Sequence, residues 1–293
     1  MNSILIGCAQ MGWPENTPEI EILTAIANIG YEGVPAGPRK DRTAQETLAI
    51  YKQCGLKPAP GYFAADYWRL EQRQDILKRA QAMARFTLET GCTDLYVATG
   101  GWTGYYTPSG KHRGQIAGRV TPADGLTDAE WQIFADTLNQ VGEVTLKEGV
   151  RSCFHNHVGS IIESGDELDR MLAMTNPDLI FLGPDTGHMA WAGVDVVDFC
   201  QRYANRIKTI HVKDVRTEVV KQGFAAGWEY NDYTEHGLFA ELGEGDVDFT
   251  KVFQILKSAG FSGWVIVETD MITRPTAVES HTVSLNYLRK LGL

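Results

Sequence analysis

Short apolar runs rich in β-branched and aromatic residues alternate with longer stretches whose apolar positions recur every three or four residues, from one end of the chain to the other. Eight such rounds can be counted. The predicted strands begin near Leu5, Gly33, Pro58, Leu95, Ser152, Ile180, Thr209 and Val265. The predicted helices cover residues 18–29, 44–54, 70–90, 128–148, 167–174, 196–204, 249–259 and 277–291. Strand–helix alternation of this kind builds a parallel sheet covered by helices.

Gly30, Gly55, Gly91, Gly149 and Gly260 each follow a helical pattern, where a left-handed cap is needed, and the next strand starts soon afterwards. The short connections therefore gather at one end of the sheet and the long ones at the strand C-termini. Two of the long ones, residues 100–127 and 215–248, are rich in glycine and aromatics, and long connections inside a domain are usually functional. An open doubly wound sheet needs only about six strands and carries a GxGxxG turn after the first one, which is absent here. Eight rounds predict closure into a (β/α)8 TIM barrel, a single α/β domain over residues 1–293.

Composition narrows the function classes. Hydrophobic residues make up 43% and charged residues 22% of the 293, ordinary for a folded globular chain. The net charge is −10, and no basic cluster exceeds Lys111-His112-Arg113, which excludes nucleic acid as an expected partner. No stretch approaches the roughly 18 apolar residues of a membrane span, and the N-terminus lacks a basic region followed by an apolar run. A cytoplasmic address with no membrane partner is the expectation. The five cysteines are widely spaced and form no CxxC pair, so they read as reduced core residues.

In a barrel, catalytic groups lie where strands run out into the following loops. The fifth strand ends His155-Asn156-His157-Val158-Gly159, and period-two alternation puts His155 and His157 on one side. The sixth ends Asp185-Thr186-Gly187-His188, the seventh His211-Val212-Lys213-Asp214 and the eighth Glu268-Thr269-Asp270. Taken alone, Asp185 would suit a helix N-cap, and Lys213 would suit an ion pair with Asp214. Their coincidence is what carries chemistry, because four of the seven histidines fall in or just after strands five to seven. Imidazole and carboxylate at neighbouring strand ends suit Mn²⁺ or Co²⁺, then Fe²⁺ or Zn²⁺, better than the all-oxygen shell of Mg²⁺.

The runs Phe154-His155-Asn156-His157-Val158-Gly159 with Ile162-Glu163, Asp185-Thr186-Gly187-His188, His211-Val212-Lys213-Asp214, the segment 243–249 and Val267-Glu268 resemble the xylose isomerase-like sugar isomerase/epimerase superfamily. Gly30-Tyr31-Glu32-Gly33 extends the resemblance towards the N-terminus, and within the superfamily it is strongest to the inosose dehydratases. The resemblance implies one divalent cation held from strands five to eight, with Asp185, His211 and Glu268 as ligands. Most relatives place Glu at the end of strand five, where this chain has His155. The resemblance then implies Glu163 as the fourth ligand, with His155 as its rival and as a substrate contact.

It further implies dehydration of a keto-inositol, 2-keto-myo-inositol to a dione, through an enolate. A metal would polarise the ketone, a base would remove the α proton, and a general acid would help the β-hydroxyl leave. His157, His188, Lys213 and Glu268 are the catalytic candidates. Trp13, Trp102 and Arg216, in predicted loops, are candidate substrate contacts, the aromatics through stacking on a polyol ring. Alternatives using the same metal are an isomerase or epimerase of a keto-sugar and a β-eliminating enzyme on 3-keto-glycosides; a non-catalytic sugar-binding protein is the non-enzymatic one. Exposed loop aromatics also suit a homo-oligomer.

Overall fold

The computed structural model describes residues 4–102 and 104–293. Its barrel strands are Leu5–Cys8, Gly33–Pro35, Lys57–Ala59 continued by Tyr62–Ala65, Asp94–Thr99, Arg151–His155, Ile180–Leu182, Ile210–Val212 and Trp264–Val267. Neighbours pair in parallel, and the ring closes with Leu5 opposite Trp264 and Cys8 opposite Val267. Between the sixth and seventh strands the seam is carried by the bridges Leu182–Ile207 and Asp185–His211. The second of these sets two candidate site residues side by side.

The third strand is broken, where the hydrophobic pattern predicts one run. Its first half pairs with the second strand and its second half with the fourth. Pro60 has no N–H for a ladder, and Gly61 approaches the Ala36 carbonyl so closely that a Cβ would lie 2.2 Å from its oxygen.

The eight predicted helices are present as Glu19–Ile29, Ala44–Gln53, Arg73–Glu89, Asp128–Lys147, Gly165–Met174, Val196–Tyr203, Phe249–Ser258 and Ala277–Lys290. Thr43, Thr127 and Ser164 start three of them with capping boxes closed by Glu46, Glu130 and Glu167. All five predicted cap glycines adopt positive φ, from 75° at Gly260 to 107° at Gly30.

The segment 215–248 is not the irregular loop expected. It holds helices Thr217–Ala226 and Tyr230–Glu235 and an antiparallel pair of Asp214–Val215 with Phe239–Ala240. Gly223 is the one buried residue in the first helix, so no apolar stripe advertises it. A further short helix, Thr186–Trp191, starts at the end of the sixth strand.

The main core lies between the strands and the outer helices, and a smaller one, including Ala59, Tyr96, Trp264 and Ile266, fills the barrel. Gly7 and Gly33 make room for it: a Cβ on either would lie 2.6 Å from Ile266 or 2.4 Å from Trp264. The cysteines are free, and four of them are buried. Among the described residues no helix is long and apolar enough to cross a membrane.

Candidate active site at the strand C-termini

His155, Asp185 and His211 converge at the mouth of the barrel, each offering a ligand atom within 4.8 Å of the others. Glu268 joins them from the eighth strand, its Oε2 lying 2.6 Å from His211 Nδ1. His155 Nδ1, Asp185 Oδ2 and His211 Nε2 are buried without a hydrogen-bond partner. Orphaned buried polar atoms are costly, and several aimed at one place need a common partner.

The charges agree. Lys213 Nζ lies 3.5 Å from Asp185 Oδ2, 3.1 Å from Glu268 Oε1 and 2.9 Å from Asp270 Oδ1. Three carboxylates around one ammonium leave two negative charges uncompensated, which a divalent cation with neutral imidazoles would balance. The donor set therefore fits a divalent metal.

Asp185 is both cap and candidate ligand. Its Oδ1 accepts the His188 N–H at 2.9 Å as an N-cap, while Oδ2 is left for the site. Asn156, which motif spacing did not single out, grips the Asp185 backbone on both sides: its Nδ2 donates to Asp185 O at 3.2 Å and its Oδ1 accepts from Asp185 N at 3.0 Å. Beneath the histidines lies Tyr96, whose ring meets His211 edge-on at 4.3 Å and His155 at 5.6 Å.

Lys213 does not pair with Asp214. Asp214 accepts backbone N–H groups from Val215, Gly243, Gly245 and Val247 and so holds the segment after the seventh strand. Lys213 instead reaches inward past Gly187, where a Cβ would lie 2.6 Å from its Cγ. Burial works against its charge, but Asp185, Asp270 and Glu268 outweigh that and hold the ammonium well above its ordinary range. Burial likewise pushes the Asp270 carboxyl up to about 6. On Glu268 the opposing pull of Lys213 and His211 wins over burial and holds it well below the carboxylate range.

His188 is fully buried and His157 partly so, and their rings lie against each other, centroids 3.7 Å apart and tilted by 39°. His188 Nε2 lies 3.1 Å from Lys213 Nζ, an obligatory donor, so its own proton belongs on Nδ1. His157 Nδ1 lies 2.6 Å from the Val158 carbonyl, so its proton is on Nδ1 and the Nε2 lone pair is free. Burial, then Lys213, pushes His157 down to about 4. The His157 ring borders a pocket of about 360 Å³ lined by Ala9, Gln10, Met11, Pro35 and Tyr62 on one side and by His155, His157, His211 and Glu268 on the other.

Other candidates lie elsewhere. Both Glu163 oxygens are engaged by backbone amides, from Gly118 N at 2.7 Å and Gly159 N at 2.6 Å, so His155 takes the place in the donor group that Glu163 was expected to fill. Burial pushes the Glu163 carboxyl up to about 7. Arg216 donates to the carbonyls of Gly237 and Phe239, bracing its own segment in place of reaching the pocket. Trp13 stacks on His281 at 6.2 Å. Trp102 sits behind His157, 6.0 Å away, against Tyr230 at 4.2 Å, and does not line the pocket.

Fold and site together define an α/β barrel with a metal-type donor cluster at its C-terminal mouth. The chain belongs to the xylose isomerase-like TIM barrel family, whose model matches residues 23–291. An inosose dehydratase of Clostridium tetani is 35% identical over 277 residues, covering 92% of this chain and 90% of that protein. Another, from Geobacillus kaustophilus, is 28% identical over 278 residues, covering 92% and 88%. Among solved structures, the probable 3-DHS dehydratase AsbF from Bacillus anthracis shares the fold with a TM-score of 0.71 at 14% identity, covering 97% of this chain and 98% of that one.

Proposed function

We propose that this protein is a metal-dependent hydro-lyase that removes water from a keto-inositol, 2-keto-myo-inositol by likeness to the inosose dehydratases it resembles. The observation that carries the reading is His157: a half-buried imidazole on the pocket wall, beside the donor cluster, with Nδ1 tied to a carbonyl and Nε2 free. His155, Asp185, His211 and Glu268 would hold the cation, Mn²⁺ or Co²⁺ by preference for a mixed nitrogen and oxygen shell. When bound, it supplies a Lewis acid that polarises the ketone and stabilises negative charge on its oxygen.

His157 Nε2 takes the proton from the carbon next to the carbonyl, and the resulting imidazolium returns it to the departing β-hydroxyl. One C–H and one C–O bond break, a C=C bond forms, and water leaves. Lys213, clasped by three carboxylates, keeps its proton and neutralises the ligands. His188 supports the His157 ring from behind. Met11, Pro35 and Tyr62 offer an apolar face for the C–H side of a ring, and among the described residues no Lys or Arg lines the pocket to attract a phosphate. With His155 where most relatives have Glu, the strand-five position supplies no carboxylate base, which favours elimination over epimerisation.

The test is incubation of protein reconstituted with Mn²⁺ or Co²⁺ with 2-keto-myo-inositol and, separately, with free ketohexoses. Dione absorbance from the first and no epimer from the second are expected. Epimers without any dione would move the protein to the isomerases.

A further inference from the structure

Glu163 was expected to bind metal, yet both of its oxygens face backbone amides, and one of those amides leads directly to His157. The N–H of Gly159 and the C=O of Val158 belong to the same peptide unit. The Gly159 N–H donates to Glu163 Oε2 at 2.6 Å, while the Val158 oxygen lies 2.6 Å from His157 Nδ1. A planar peptide has its N–H and C=O pointing in opposite directions, so a carboxylate fixing one end fixes the aim of the other.

We propose that Glu163 is the positioning residue of His157, acting through the Val158–Gly159 peptide to set the tautomer and orientation of the imidazole. A carboxylate fixing the imidazole's Nδ1–H partner is a common device in acid–base sites; here a peptide is interposed between the two. The proposal rests on the reading of His157 as the base.

Two further features hold the arrangement. Gly159 has φ 86°, and a Cβ there would lie 2.5 Å from the Trp102 ring, so only glycine permits this peptide orientation beside that side chain. Glu163 itself is anchored through its backbone: its N–H donates to Glu167 Oε2 at 2.9 Å, and Glu167 is held by the fully buried Arg113. The second oxygen, on Gly118 N, ties the segment after the fourth strand to the one after the fifth. Because both partners are donors, the site suits a carboxylate, which only accepts, and not an amide, which can satisfy one of them alone.

The experiment uses the full chain loaded with Zn²⁺ as a diamagnetic ion and ¹⁵N-labelled histidine, with His157→Asn to assign the signal. In the wild type, His157 is expected as the Nδ1–H tautomer; finding Nε2–H would overturn the proposal without recourse to any variant. In Glu163→Gln a tautomer mixture is expected, with metal content unchanged, kcat lower by about tenfold or more and KM little altered, and Glu163→Asp should recover part of kcat. Loss of metal in Glu163→Gln would return Glu163 to the ligands and sink the proposal, as would an unchanged tautomer with unchanged kcat. A correct tautomer shift in a protein that never dehydrates a keto-inositol would instead count against the proposed reaction and leave the positioning role standing.

Discussion

Lys213 Nζ lies 2.9 and 3.0 Å from the two carboxylate oxygens of Asp270, the ammonium fully buried and the carboxylate largely so, beyond the ends of neighbouring strands. Removing one member of a buried pair strands the other's charge, at a cost of about 3–5 kcal/mol. Lys213→Met should therefore lower unfolding free energy by about that amount, and adding Asp270→Asn should recover part of it. Urea titration of the two singles and the double checks the coupling; strict additivity would contradict the pairing.

The uncompensated negative charge at the donor cluster predicts that a divalent cation stabilises the fold. At a concentration 100 times its dissociation constant, the ion should add about 2.7 kcal/mol. Stripping with a chelator should lower the thermal midpoint and re-addition of Mn²⁺ or Co²⁺ should restore it, as calorimetry would read.

Glu268→Gln and His155→Ala should each bring the metal content measured by mass spectrometry well below that of the wild type, and Glu268→Gln should abolish turnover. Full activity in Glu268→Gln would refute the ligand assignment. Asn156→Ala acts at one remove: freeing the backbone of Asp185 should weaken metal affinity by about 10- to 100-fold while the fold survives.

Glu163 makes stability pH-dependent. Burial, the largest influence, raises its carboxyl from 4.5 to about 7, so the native state holds the proton more tightly than the unfolded chain does. The stabilisation this brings is complete below pH 4.5 and is lost as pH rises through 7, a change of roughly 3 kcal/mol at 1.36 kcal/mol per unit. Unfolding free energies of the wild type and Glu163→Gln, compared at pH 5 and pH 8, should diverge, with the wild type losing more over that span. Parallel behaviour would show that the charge is not buried as described.

The chain's local patterning determined much of this protein by itself. Alternating strand and helix periods, glycines at Gly30, Gly55, Gly91, Gly149 and Gly260, and Asp185, His211 and Glu268 at strand ends were all readable, because each depends on residues a few positions apart. A strand end has one place to go in a barrel, so its last side chains are placed once the fold is known. The loops were different. Whether His155 or Glu163 completes the donor group depends on where residues 156–163 turn back, and the amides of Gly118 and Gly159 decide that through contacts up to 45 residues apart in the chain. Lys213 could have turned to its neighbour Asp214, but the space left by Gly187 sends it inward to Asp270, 57 residues on. Arg216 and Trp13 were equally free on paper, and packing against their own surroundings took them out of the site. Such choices are made by competition among distant partners for the same hydrogen bonds and the same volume, which tertiary structure alone resolves.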